Sequence, residues 1–273
     1  VARIARRHRV EALLVTGLAA AKLAQSEPAL AAVREVASGR MRQNLLYAAA
    51  TAAIQRAFEP TGIEPVFVKG LPLAILAYGS LALKASRDID LLVAPKDIAR
   101  AGQVLGDAGY QRVSPDGEMT LDELATWHRF NKETSWSHPS SRVLVELHSR
   151  LLDDPTTAPA IDRAAETIAV DICDGITVRT LPVRALYAYL CGHGASHGWS
   201  RLKWIADVAA LVRGGSERVA ALHDEASRLG LGRCSAQALL IAADLVALTL
   251  PPQLLTELRR SPINRLLAAV AIG

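Results

Sequence analysis

The sequence predicts an α+β fold, with a mixed core of strands and helices at residues 63–182 between a helical segment at 1–62 and another at 183–273. Three observations predict it. Ala and Leu dominate a chain of 273 residues that is 51% hydrophobic and only 4% aromatic, a composition that favours helices. Apolar residues recur at helical spacing before residue 58 and again after residue 183. Between these segments lie short β-rich runs bounded by Gly, Pro and Asp.

The elements follow in order. The basic start, VARIARRHRV, and the apolar run at 12–21 read as an amphipathic or buried helix. Glu11 at the run's edge, Lys22 after it and the lack of a clean cleavage site argue against a signal peptide. SEPALAAVREVASG reads as a helix with Ser26 as N-cap, Pro28 in the first turn and Gly39 as stop. RQNLLYAAATAAIQRAF is a second helix, ended by EPTG. IEPVFVKG is a short strand ending at Gly70, and residues 71–83 form a helix with Pro72 in its first turn. DIDLLVAP is a strand stopped by Pro95. KDIARAGQVLGDAGY is a helix with Gly109 at its end. YQRV begins another strand, SPDGE turns, residues 120–130 are helical and 143–148 form a strand. DGITVRTLP is a turn and a strand, and the rest is helical.

Composition narrows the function. A formal net charge of +4 suits a phosphate-bearing ligand without establishing nucleic-acid binding. The three cysteines, Cys173, Cys191 and Cys234, are far apart and odd in number. That argues against a disulfide scaffold and a structural zinc site, and suits a reducing cytosol. No membrane span is expected: residues 71–83 are too few, and the run at 236–250 is interrupted by Asp244.

Asp88 and Asp90 stand one residue apart at the start of the most strand-like run, so alternation points both to one face. Two such carboxylates repel, and a divalent cation relieves the repulsion. A bare D-x-D pair more often sits solvated at a strand end. Here a strand, Lys69, Gly70 and a helix come just before it. The start of that helix could cradle a phosphate with backbone N–H groups, and Lys69 could meet a β- or γ-phosphate. Glu146 lies inside the strand VLVELH and shares a face with His148. If that strand neighbours the Asp strand, Glu146 completes a three-carboxylate site able to hold two metal ions. The alternative is a surface glutamate on the open face of the sheet.

Together VFVKG, SRDIDLLVAP, AGY and VLVELHSRL, with the late His/Trp-rich helix, resemble the nucleotidyltransferase superfamily with the polymerase-β-type fold. The likeness is closest to its bacterial branch of uncharacterised nucleotidyltransferases, and it spans residues 66–212. It implies a nucleotidyltransferase-type mixed sheet. It implies Mg²⁺ or Mn²⁺ at Asp88 and Asp90 with Glu146 as third carboxylate, and phosphate contacts from the Lys69–Gly70 turn. Two features depart from the superfamily pattern. The usual Gly-Gly or Gly-Ser is Gly70-Leu71, which lacks a hydroxyl, and seventeen residues separate Gly70 from Asp88. Ser80 or Ser86 could supply the missing hydroxyl.

CGHGASHGWSRLKWIAD is not H-E-x-x-H, which argues against a zinc protease. His193, His197, Arg201 and Lys203 could touch phosphates or the acceptor, with a Trp stacked on a base. The same residues would also suit a helix pair with packed Trp and satisfied histidines. Arg87 binds phosphate or balances local charge, and His148 orients Glu146 or reaches substrate. The expected nucleotide-binding set is therefore Lys69, Gly70, Arg87, His193 and His197. The expected activity is a cytoplasmic, metal-dependent transfer of NMP from an NTP to an acceptor (small molecule, peptide, protein or RNA), releasing pyrophosphate. One rival is a non-catalytic nucleotide-binding or regulatory module on the same fold. Another is a helical scaffold with an incidental D-x-D and no mixed sheet at 63–182.

Overall fold

A computed structural model describes residues 1–22, 28–162 and 166–272. The expected cap Ser26 lies outside the described residues. Two compact units make up the chain, one formed by Val1–Glu35 with Pro182–Gly273, the other by Val36–Leu181.

The chain opens with α1 (Ala2–His8), α2 (Glu11–Ala20) and α3 (Pro28–Phe58). Gly39 was expected to stop a helix, yet α3 runs through it to Phe58. A mid-helix glycine costs only about 1 kcal/mol relative to Ala, and buried residues such as Tyr47, Ile54 and Phe58 anchor the helix beyond it.

The unit from Val36 to Leu181 holds β1 (Val66–Phe67), α4 (Gly70–Tyr78), β2 (Ile89–Leu92), α5 (Ile98–Asp107), β3 (Gln111–Ser114) and α6 (Leu121–Phe130). It continues with β4 (Glu133–Ser137), β5 (Leu144–His148), α7 (Pro159–Asp162), β6 (Ile168–Cys173) and β7 (Ile176–Thr180). Five strands form a mixed sheet in the order β1-β2-β5-β4-β3, and β6 and β7 form a separate antiparallel pair. This sheet excludes the helical-scaffold alternative. The expected helix at 71–83 is shorter than its sequence suggests. Gly79, at φ 66°, turns left-handed and caps α4 by donating to the Ile75 carbonyl at 2.8 Å. Ser80 then caps a short 3₁₀ turn through the Ala82 amide, 3.2 Å away.

One face of the sheet builds the core. Ile89, Leu91, Val145 and Leu147 alternate toward Ile98, Ala101 and Leu105 of α5, with Phe67, Leu124 and Trp136 completing the cluster. A Thr120–Glu123 capping box starts α6. On its buried side His128 places Nδ1 3.1 Å from Ser149 Oγ and Nε2 3.3 Å from Thr134 Oγ1.

The other unit adds α8 (Val183–Ser196), α9 (Leu202–Leu211), α10 (Ser216–Arg228), α11 (Gly232–Val246), α12 (Pro252–Arg260) and α13 (Pro262–Ile272) to α1 and α2. Tyr187 and His223 meet at the buried Ser235 hydroxyl, at 2.7 and 2.9 Å. Arg201 donates to the Arg7 carbonyl, which ties α1 to the α8–α9 junction.

Burial pushes His128 down from 6.5 to about 4, helped by the charges of His148 and Arg150. The unfolded chain therefore takes up a proton near pH 6.5 that the folded chain refuses until about 4. The stability due to neutral His128 is complete above pH 6.5 and is lost as the pH falls through 4. Urea midpoints measured across that window should fall more steeply for the native chain than for His128→Gln. Equal slopes would show that His128 is protonated in the folded state.

Candidate active site

The site begins with strand order. β2 and β5 are parallel neighbours, with Asp90 opposite Glu146 and Leu92 opposite His148. Alternation that sends Ile89, Leu91, Val145 and Leu147 into the core sends Asp90, Glu146 and His148 to the other face. β4, antiparallel to β5, adds Glu133 opposite His148 and Ser135 opposite Glu146. β1 runs antiparallel to β2, and the Val68 amide donates to the Asp90 carbonyl at 3.1 Å. The next residues of that chain, Lys69 and Gly70, are thereby brought to Asp90.

Asp90 is 3% exposed, so its charge needs partners. Lys69 Nζ stands 2.6 Å from its Oδ1. His148 Nε2 is 3.3 Å from the same oxygen and 3.6 Å from Glu146 Oε2, while its Nδ1 faces Glu133 Oε2 at 3.4 Å. Burial alone would raise the Asp90 carboxyl. The Lys69 charge and the neighbouring His148 outweigh it and hold Asp90 well below the usual carboxylate range. Burial would likewise lower His148, but the carboxylates of Asp90 and Glu146 push it up to about 9, with the Glu133 charge adding to them. Both Asp90 oxygens and both His148 nitrogens are buried without a well-directed hydrogen bond. The cluster is held by charge at close range.

Asp90, Glu146 and His148 each offer a ligand atom, all within 4.8 Å of one another, and could hold a metal ion. The undirected Asp90 oxygens fit a divalent cation. Two carboxylates with an imidazole suit Mn²⁺ more than Mg²⁺, which prefers oxygen. Such an ion competes with Lys69 for Asp90 and with a proton for His148.

The approach to Asp90 is shaped by a loop that Asn44 clamps. Fully buried on α3, its Nδ2 donates to the carbonyls of Leu81 and Lys84, both at 2.6 Å, and its Oδ1 accepts from the Ser86 amide at 3.2 Å. Tyr47, one turn on, donates to the Arg87 carbonyl. Burial and then the Asp88 charge raise the Tyr47 phenol. Asp88 stands half-buried just before β2, outside the Asp90–Glu146–His148 group. Its carbonyl and the Ser86 hydroxyl are each 3.5 Å from where a side chain on Gly70 would begin. Gly70, at φ 59°, has the left-handed backbone that favours glycine. Ser86 Oγ is buried there without a hydrogen-bond partner, whereas Ser80 is spent on its cap.

The structure thus brings Lys69, Asp90 and Glu146 together, with Gly70, Asp88 and the exposed Arg87 beside them. Glu133 and Asn44 were not anticipated from sequence. His193 and His197 belong to the other unit, at the end of α8. Their rings lie 4.6 Å apart, and His197 stacks on Trp204 at 5.1 Å and 20°.

A sequence profile described as "Uncharacterised nucleotidyltransferase" matches residues 1–247, and the chain belongs to that family. Among solved structures the chain is similar to an antigenic nucleotidyltransferase-like protein from Paracoccidioides brasiliensis. The identity is 16%, over 78% of this chain and 91% of that one, with a TM-score of 0.44. No curated protein matches the sequence.

Replacing Lys69 by Met strips Asp90 of its nearest cation and leaves His148 as the remaining one. Urea denaturation should show a loss of about 2–3 kcal/mol, below the full cost of breaking a buried pair because Lys69 is partly exposed. A loss under about 0.5 kcal/mol, the size typical of a surface substitution, would mean that His148 alone balances the charge.

Proposed function

We propose, from the premise of that family membership, that the chain transfers an NMP from an NTP to an acceptor hydroxyl or amine. The acceptor is a small molecule, peptide, protein or RNA. The observation that carries this reading is the pairing of Asp90 with Glu146 on adjacent parallel strands, beside a Lys-Gly turn that opens a helix. A bond forms between the acceptor atom and the α-phosphorus, the bond to the bridging oxygen breaks, and pyrophosphate leaves. One of the site carboxylates accepts the acceptor's proton.

Asp90 and Glu146, with His148 beside them, would hold Mg²⁺ or Mn²⁺, and Asp88, just before β2, would add a carboxylate from outside that group. A cation held there would supply neutralisation of triphosphate charge and activation of the attacking oxygen. The chain's own groups position the substrate. First-turn amides of α4 face the phosphates. The buried Ser86 hydroxyl takes the place of the one missing at Leu71. Lys69 exchanges its ammonium between Asp90 and a phosphate oxygen, and Arg87 adds charge from the rim. Positioning and charge neutralisation account for most of the rate in such a step. One observation favours a second reading, nucleotide binding without transfer: Lys69 and His148 already balance Asp90.

The test is stability with ATP, GTP, CTP and UTP, with and without Mg²⁺ or Mn²⁺, followed by release of pyrophosphate with candidate acceptors. At least one NTP should stabilise the chain in a metal-dependent way, by about 2.7 kcal/mol at a hundredfold excess over Kd. Glu146→Gln should fold and lose the metal dependence. Stabilisation by none of the four would overturn the proposal, and binding with no pyrophosphate release from any acceptor class would favour the second reading. Ser86→Ala should weaken NTP binding about tenfold, as expected for one hydrogen bond to a charged oxygen, while its melting temperature stays near that of the native chain. Unchanged affinity would remove Ser86 from the phosphate site.

A further inference from the structure

A cavity of about 660 Å³ opens where β2 and β5 end, well within the roughly 300–1,000 Å³ of small-molecule sites. The proposed reaction does not use it. β1 is antiparallel to β2, so the Lys69–Gly70 turn lies at the Asp90 end of this strand pair and the cavity at the other. Leu92, which lines the cavity, is two residues beyond Asp90, about 7 Å along the strand.

The lining has two chemistries. Val66, Leu92, Val93, Pro95 and Pro155 are apolar. Around them, among the described residues, stand three guanidinium groups, Arg129, Arg150 and Arg179, against the single carboxylate of Glu64. Each arginine is committed differently. Arg150 donates to the carbonyls of His128 and Phe130, both at 2.9 Å, and of Asn131 at 3.3 Å, which closes the end of α6. Its Nε also donates to the Asp153 carbonyl at 3.4 Å, and its charge offsets the negative pole of that helix. Arg179 pairs with Glu64 at 2.9 Å and donates to Thr167 Oγ1 at 3.1 Å. Arg129 is exposed at the rim and has no ion-pair partner among the described residues.

An apolar floor under an uncommitted guanidinium discriminates between ligands. A cation meets excess positive charge. Inorganic phosphate leaves the floor uncovered, and a neutral apolar molecule leaves Arg129 unmatched. We infer that this cavity binds a small organic anion, with a carboxylate, sulfonate or phosphate at Arg129 and an aromatic or aliphatic body over Val66 and Leu92. The inference stands independently of nucleotidyl transfer.

The probe is 8-anilinonaphthalene-1-sulfonate, followed by fluorescence titration, with N-phenyl-1-naphthylamine as its uncharged counterpart. The native chain should show one saturable site that prefers the sulfonate. Ala94→Trp fills the cavity from an exposed position with extended backbone (φ −59°, ψ 141°) that accepts any side chain, and it should abolish that site. Arg129→Glu should weaken the sulfonate about tenfold, the effect of losing one charged contact, and leave the uncharged dye unaffected. Glu146→Gln should leave both dyes unaffected, so failure of nucleotide binding and failure of this site are read separately. Sulfonate binding that survives Ala94→Trp, or absence of a saturable site in the native chain, would overturn the inference. Equal affinity for the two dyes would do so as well.

Discussion

One buried carboxylate organises the sheet's open face. Asp90 lies in a strand whose four residues are all buried, and an isolated charge there would cost several kcal/mol. It is tolerated because β1 delivers Lys69 from one side and β5 delivers His148 from the other. The strand order β1-β2-β5 is therefore an electrostatic requirement as well as a packing solution. Glu146 and Glu133 extend the alternation of charge, so His148 sits among three carboxylates. Such a cluster can pass from one set of cations to another without uncovering a bare charge, which is the property that a metal and a triphosphate would exploit.

The second constraint is the loop before β2. Seventeen residues separate Gly70 from Asp88, enough for a floppy connection. Asn44 fixes it with three hydrogen bonds from a single side chain, and Tyr47 adds a fourth at Arg87. A long insertion thereby becomes a rigid approach that holds Ser86 against Gly70. The helix that carries the clamp acts here through Asn44 and Tyr47. Its contribution is geometric.

Much of this was legible in the sequence, for identifiable reasons. Asp90, Glu146 and His148 sit in apolar alternation, so their common face could be read from spacing. Lys69-Gly70 before a helix marked the turn. That β2 and β5 are neighbours is a long-range fact that no local pattern encodes. β4 was missed because its open face is Glu133, Ser135 and Ser137, and a strand with one wet face looks like loop. β6 was missed because Asp171 interrupts its apolar run. Asn44 looks like any helical asparagine, and only its buried carbonyl partners reveal its role. Gly39 misled because a long, well-anchored helix absorbs one glycine, whereas Gly79 does end α4, where the backbone turns left-handed.

The parallel pairing of β2 with β5 also bears on when the site comes into being. Parallel neighbours need a crossover, and here it comprises α5, β3, α6 and β4. During synthesis Asp90 and Lys69 leave the ribosome well before Glu146 and His148, at about 5–20 residues per second. Until residue 148 emerges, the nascent chain holds half a cluster, a carboxylate with one lysine and β1 on one side but no β5 on the other. Any fragment that stops short of β5 carries the motif without Glu146 and His148 beside it. The full charge cluster exists only once the strand pair has closed.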